Sequence, residues 1–196
     1  GSRPSPVSTL FRGIVRLAQA AIILPVLLII IFRWVPPPTT MFMVIRHVER
    51  LFEPNSGPPI LYSWTPIPNI PKHMALAVVA SEDQLFPKHW GFDVDAIMDA
   101  REYNKTHSRK RGASTISQQV AKNLFLWPGR SYVRKGIEAG LTVLIELCWS
   151  KKRILEVYLN TAEFGNGTYG IKTAAWRFYD KAPEKLSKYE AATLAT

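Results

Sequence analysis

Glu82 and Asp83 are adjacent carboxylates that close an apolar run, Met74 to Ala80, just before the stretch Gln84-Leu85-Phe86-Pro87-Lys88-His89-Trp90-Gly91. The run predicts a buried helix, so two acids delivered to its end would be partly desolvated. They would also face the negative end of a helix dipole. Both effects disfavour a charged carboxylate, and a carboxyl group pushed towards neutrality suits general acid or base work. The same pair would serve equally well as a cap or as half of a structural ion pair.

A second stretch with chemical character is Gly112-Ala113-Ser114-Thr115-Ile116-Ser117-Gln118-Gln119-Val120-Ala121-Lys122-Asn123-Leu124. Thr115 followed three residues later by Gln118 is a capping-box signature and predicts a helix start. Ile116, Val120 and Leu124 give that helix its core stripe. Its hydroxyl-rich N-terminus, with Lys122 two turns in, suits an anionic, oxygen-rich ligand such as phosphate. Ser131 caps the next predicted helix, which reaches Trp149, with Arg134 and Glu138 spaced as a surface ion pair of about 0.3–0.5 kcal/mol. Another helix starts at Ser150 with a basic first turn, Lys151-Lys152-Arg153, which opposes its dipole and is odd without an anion to meet. A glycine-rich loop from Phe164 to Gly170, a helix from Ile171 to Tyr179 and a capped helix at Ser187-x-x-Glu190 complete the pattern. The sequence stops in that last helix, which suggests a truncated C-terminus.

These elements need a body to hold them. The chain has 196 residues, 47% hydrophobic and 20% charged, enough for one core and an appendage and too apolar for global disorder. Cys148 stands alone in an apolar pattern and reads as a packed thiol, and His47, His73, His89 and His107 show no ligand spacing. No metal site is expected. The net charge of +10 is concentrated. Between Arg101 and Lys135 nine basic residues face one acid, Glu102. Nucleic acid is the usual partner of such a patch.

Residues 17–35 argue for a different partner. Leu17 to Phe32 carries no charge, and with Arg33, Trp34 and Val35 it reaches the length of a membrane span. No small-residue cleavage site follows, so the segment is expected to be an uncleaved anchor. Arginines on both sides leave its orientation open. Residues 1–16 would form an N-terminal segment ahead of the span. Residues 36–70, rich in proline, would form a juxtamembrane linker, with a short strand near Ile60-Leu61-Tyr62 and a short helix over 41–52. Residues 71–196 would be the catalytic body. Anionic lipid headgroups or a lipid-linked phosphate then explain the basic patch better than nucleic acid. Lys105 to Arg111, without an apolar residue, is expected to be a mobile loop that closes over such a ligand.

Four stretches in order carry a resemblance: Glu82-Asp83-x-x-Phe86-x-x-His89-x-Gly91, Gly112-x-Ser114-Thr115-Ile116-x-Gln118-Gln119-x-x-Lys122-Asn123, Arg134-Lys135-x-x-Glu138, and Lys151-x-x-Ile154-Leu155-Glu156-x-Tyr158-Leu159-Asn160. Together they resemble the motifs of the family-51 peptidoglycan glycosyltransferases. Since 196 residues leave no room for a transpeptidase domain, the chain resembles the monofunctional type of Gram-negative bacteria. The resemblance implies a mostly α, lysozyme-like, two-lobed fold with one transmembrane helix in the bacterial inner membrane and the catalytic part in the periplasm. It implies polymerisation of lipid II into β-1,4 glycan strands with inversion and loss of undecaprenyl pyrophosphate. It makes Glu82 the base and Glu138 a second essential acid. Asp83 and Phe86 would shape the pocket, and Ser114, Gln119, Lys122, Asn123, Arg130 and Arg134 would line the donor side. Lys151, Tyr158 and Asn160 would lie nearby. No cofactor is required, although Mg or Mn could stimulate, and a phosphoglycolipid such as moenomycin should compete. Partners implied are lipid II, the growing glycan chain, membrane lipids and other cell-wall synthesis or division proteins, with no nucleic acid. A glycan-cleaving enzyme with Glu82 as acid and a non-catalytic cell-wall scaffold are the rival classes. The first needs no pyrophosphate clamp, and the second needs no intact Glu82 or Glu138.

Overall fold

A computed structural model describes residues 6–54 and 57–196. The fold is mostly helical, as expected. A long first helix, α1 (Pro6–Phe32), precedes α2 (Met41–Phe52), which begins where expected because Thr40 accepts from Met43 N–H. The body then runs through α3 (Lys72–Glu82), α4 (Val94–Thr106), α5 (Ile116–Phe125), α6 (Tyr132–Cys148), α7 (Lys151–Thr161), α8 (Ile171–Tyr179) and α9 (Lys188–Leu194). Capping explains the boundaries. Thr115 and Gln118 form the full reciprocal box at α5, as do Ser187 and Glu190 at α9. Ser131 and Ser150 cap α6 and α7 through their hydroxyls.

Helix α5 is the centre of the body, packed between α6 and α7. Its Ile116, Val120 and Leu124 are buried as the stripe predicts, and the small residues Ser117 and Ala121 are buried beside them, letting the neighbouring helices come close. Helix α7 meets it with Ile154, Val157, Tyr158 and Leu159. Helix α2, with Met43 buried, packs on α5, and α9 packs on α3.

Several expectations change. The Met74–Ala80 run is not a buried segment: Met74 and Val78 are inside, while Leu76 is 68% exposed. One side of α3 faces the core and α9, so only one stripe of its apolar residues has a partner. The first helix ends at Phe32 rather than Val35 and begins before Leu17. Its apolar portion, Arg12–Phe32, has 21 residues, long enough to cross a membrane by length and composition. The glycine-rich loop contains two short strands, β2 (Glu163–Gly165) and β3 (Thr168–Tyr169). With β1 (Leu61–Tyr62), which lies where a strand was expected, they make a sheet in the order β1-β3-β2. β1 pairs parallel with β3 and β2 antiparallel.

The segment from Lys105 to Arg111 is not the loose loop expected. Tyr103 and His107 stack at 3.7 Å, and Arg111 lies over the other ring, 3.9 Å from the Tyr103 centroid. Asn104 holds the Arg111 backbone at both ends, accepting from its N–H at 2.7 Å and donating to its carbonyl at 3.0 Å. Lys110 donates to the His107 carbonyl at 3.0 Å. The cations find aromatic rings and carbonyls on the last turn of α4, so the segment folds back on its own helix instead of reaching over the body.

One glycine fixes how α8 leaves the sheet. Gly170 has φ of 84°, and a Cβ there would stand 2.6 Å from the Asn160 carbonyl oxygen. Gly170→Ala combines backbone strain with a clash against α7 and should cost about 2–5 kcal/mol. A thermal melt reads it, and an unchanged midpoint would show that α7 and α8 are not locked by this contact.

Candidate active site

Asp83, the residue that ends α3, is 6% exposed and fully engaged. Its Oδ1 accepts from His89 Nε2 at 2.8 Å and its Oδ2 accepts from the Ile116 N–H at 2.9 Å, the first free amide of α5. The turn between them is closed by further bonds. The Gly91 N–H donates to His89 Nδ1 at 3.1 Å, and the Thr115 hydroxyl donates to the Gly91 carbonyl at 2.6 Å. The desolvation expected of the acid pair therefore falls on Asp83 and not on Glu82, whose residue is exposed. Glu82 looks into a cavity of about 790 Å³ lined by Ser81 to Leu85, Asp93, Asp95, Asp99 and Gly112 to Thr115, with Gln119 and Lys122 on the α5 side. Gln119 Nε2 donates to Glu82 Oε2 at 2.7 Å, leaving the other carboxylate oxygen for a ligand.

The amides at the start of α5 do not form a vacant phosphate site. Ile116 N–H is taken by Asp83, and Gln118 N–H by the Thr115 hydroxyl at 3.2 Å. Cationic side chains supply the positive charge instead. Arg134 and Glu138, far from being a surface pair, are 9% and 2% exposed and meet at 3.0 Å. Lys135 pairs with the other Glu138 oxygen and donates to Ser114 Oγ at 3.3 Å. Lys122 completes the group on the wall of the main cavity. Burial strips water from its ammonium and holds its pKa below the usual 10.5; Arg134 and Lys135 push the same way, against Glu138 and Glu82. Around Glu138 there are thus three cations to one acid. Arg134 Nε is buried with no partner among the described residues, a donor without an acceptor. Beside it a smaller pocket of about 350 Å³ is lined by Arg130, Ser131, Tyr132, Arg134 and Lys135.

The remaining expected site residues have other surroundings. Phe86 is buried under Lys151, whose Nζ sits 4.5 Å above the ring. Lys151 also pairs with Glu146 at 2.7 Å, and Glu146 accepts from buried Ser117, so this cation serves a network behind α5. Tyr158 is buried at the back of the site; burial raises its phenol's pKa, and the charge of Glu82 raises it further. Asn123 is half-buried on α5, one turn beyond Gln119. Asn160 is fully buried, and its amide fastens Thr65, accepting from the N–H at 2.7 Å and donating to the carbonyl at 2.9 Å. The structure thus brings Glu82, Asp83, Ser114, Gln119 and Lys122 to one cavity. Arg130 and Arg134 line the adjoining pocket, with Glu138 paired to Arg134. Lys135, which links Glu138 to Ser114, was missed, although its spacing of three from Glu138 is visible in the sequence.

Comparison with known proteins fits this geometry. The transglycosylase family matches residues 60–196, which hold every side chain placed at the site. The chain belongs to the transglycosylase family. It is an enzyme of glycosyl transfer, the class its motifs imply. Among curated relatives, the biosynthetic peptidoglycan transglycosylase of Pseudomonas putida (strain GB-1) is 48% identical over 98% of this chain and 79% of its own length. Proteins of the same name from Pseudomonas entomophila (strain L48) and Yersinia pestis (strain Pestoides F) are each 52% identical over 85% of this chain and 70% of theirs.

The two adjacent acids of this transglycosylase should separate cleanly by substitution. Asp83→Ala leaves His89 Nε2 and the Ile116 N–H without an acceptor, at about 1–3 kcal/mol each. Its melting point should fall well below that of wild type, whereas Glu82→Gln, at an exposed position, should melt within about 2 °C of it. Equal melting points for Asp83→Ala and wild type would refute the clamp.

Proposed function

We propose that this chain polymerises lipid II into linear glycan strands during peptidoglycan synthesis. The observation that carries the reading is an exposed carboxylate, Glu82, that shares a cavity with Lys122, beside an adjoining pocket lined by Arg130, Arg134 and Lys135. In this reading an acceptor lipid II places its 4-OH beside the free oxygen of Glu82. Glu82 takes the hydroxyl proton as the oxygen attacks C1 of the growing chain. The C1–O bond to undecaprenyl pyrophosphate breaks on the opposite face, so the configuration inverts and a β-1,4 linkage forms. Charge that develops on the departing pyrophosphate is met by Lys122, Arg134, Lys135 and Arg130. The donor-bearing Nε of Arg134 gains its acceptor in the same step. Glu138 holds Arg134 and Lys135 in place, Gln119 orients Glu82, and Ser114, Asn123 and Tyr158 border the donor path.

The names of the relatives support peptidoglycan as the product, and α1 supports a single-pass anchor, with the body on the periplasmic side of the bacterial inner membrane. Lipid II and the glycan chain are the partners in this reading, together with membrane lipids and proteins of cell-wall synthesis or division. Mg or Mn would only stimulate, by shielding the pyrophosphate. A phosphoglycolipid such as moenomycin would compete through the same cations.

Glu82→Gln should lower the rate of lipid II polymerisation by roughly 10²–10⁴-fold while the chain stays folded. The test is a gel of the glycan product, and near wild-type polymer from purified Glu82→Gln would sink the assignment. Incubation with preformed peptidoglycan should release no fragments, which separates the reading from glycan cleavage.

Lys122 should set the alkaline limb of the rate. Its charged form is disfavoured in the folded chain, so its burial costs stability at neutral pH. That cost is lifted as pH rises through the depressed pKa towards 10.5. Pyrophosphate stabilisation needs the cation and is lost over the same interval. The rate should therefore fall on the alkaline side below the range of an ordinary lysine. Lys122→Arg should move that limb to higher pH, and Lys122→Ala should remove both turnover and phosphoglycolipid binding. An alkaline limb that stays in place in Lys122→Arg would assign it to another group.

A further inference from the structure

The basic first turn of α7 finds its anion equivalent in an unexpected place. Lys151 is absorbed by Glu146. Arg153 reaches instead to the C-terminal end of α1. Its Nε and Nη2 donate to the Phe32 carbonyl at 3.0 and 2.9 Å, and Nη2 also donates to the Val35 carbonyl at 2.9 Å. About one turn back along the chain, Trp149 Nε1 donates to the Ile29 carbonyl at 2.7 Å. The last four carbonyls of a helix lack partners within it. Here Ile31 is met by the amides of Trp34 and Val35, and Ile29 and Phe32 are met from the body. A cation at a helix C-terminus also complements the dipole.

Apolar packing reinforces the joint. Ile29 and Phe32 are buried within the same core as α5 and α7, and Leu28 packs against it. Arg153 is further held by Glu156 at 2.6 Å and lies 5.1 Å from the Trp64 ring centroid. Glu156 in turn accepts from the Ile67 N–H at 2.8 Å. The prolines after α1 are fastened as well, because Tyr62 donates to the Pro37 carbonyl at 2.6 Å. From Arg153, α7 runs directly to Tyr158, whose phenol feels the charge of Glu82. The bonds from Trp149 and Arg153 thus join the end of the apolar helix directly to the body at the back of the site.

We propose that α1 is a strut and not a tether: Arg153 and Trp149 are positioning residues that fix the height and tilt of the cleft over the bilayer. A tether raises the local concentration of a membrane-held substrate and leaves its presentation free. A strut adds orientation, which is worth more when both reactants are held in the bilayer by long lipid tails. The inference rests on the lipid-linked substrate of the proposed function.

The test uses the full chain with Trp149→Phe and Arg153→Met combined, compared with wild type. Polymerisation is measured on lipid II in bilayer nanodiscs and on a short-chain lipid-linked analogue in detergent, where presentation by a membrane plays no part. The expected result is a loss of about tenfold or more in nanodiscs, with the detergent rate within about twofold of wild type. In parallel, a dye on Lys110→Cys in a Cys148→Ser background reports rotation of the body on the disc, which should quicken in the variant. Equal loss in both formats would make the joint merely structural and overturn the proposal, as would an undiminished rate in nanodiscs. A wild type inactive in both formats would refute the lipid II reading instead. The dye then decides the strut alone: faster rotation in the variant upholds it, and unchanged rotation overturns it.

Discussion

The buried carboxylate of Asp83 is the contact on which the cleft depends. A carboxylate taken out of water must be met by donors. Asp83 finds one in His89 and another in the first amide of α5, so the end of α3 is joined to the start of α5 through the interior. The turn that follows can lie flat against α6 only because Gly91 has φ of 84° and no side chain; a Cβ there would stand 2.8 Å from Thr142 Cγ2. With Asp83 turned inward, the preceding Glu82 faces the cavity, and Gln119 on α5 reaches it at 2.7 Å. The placement of Glu82 is therefore set by backbone and by a buried clamp rather than by its own flexible chain.

Charge in the adjoining pocket is arranged by the same logic of partial satisfaction. Glu138, almost wholly buried, is held by Arg134 and Lys135. Those cations are in turn kept together by Glu138, since like charges at such range would repel. Lys122 has no direct acidic partner of its own among the described residues, and burial works against its charge. The wall is thus neither neutral nor relaxed. It carries cations in excess of its one acid, and Arg134 Nε is buried without a partner among the described residues.

Much of this was legible in the chain. Hydroxyl caps and i, i+4 stripes located the helices, because Thr115, Ser131, Ser150 and Ser187 satisfy local amides that any helix exposes. The spaced motifs identified the family and, of the residues that line the cavity, Glu82, Asp83, Ser114, Gln119 and Lys122. What escaped depends on partners distant in sequence. Periodicity could not tell that Leu76 lacks a neighbour while Val78 has one. Nor could an i, i+4 spacing tell that Arg134 and Glu138 are covered by packing instead of facing water. β2 and β3 are too short for alternation to register. Lys105 to Arg111 read as a loose loop because its charges were weighed against solvent, when Tyr103 and local carbonyls were the partners available. Asn160 reads as a ligand-binding amide in its motif, yet both of its polar ends hold the Thr65 backbone.

The occupied N-terminus of α5 has a consequence for the proposed chemistry. A helix end with vacant amides would bind phosphate in a fixed geometry, equally well before and after the glycosidic bond forms. Asp83 and Thr115 have removed that possibility by taking the Ile116 and Gln118 amides. An anion must then rely on Lys122, Arg134 and Lys135, two of which already share their charge with Glu138. Part of the field of such a site is cancelled at rest by Glu138. In the proposed reaction negative charge on the leaving oxygens grows as the C1–O bond breaks, and Lys122, Arg134 and Lys135 meet it while Glu138 stays paired. The interaction is then stronger in the transition state than in the ground state, which is the condition for raising the rate instead of merely tightening binding. Glu138, on this argument, contributes by holding Arg134 and Lys135 where that charge develops.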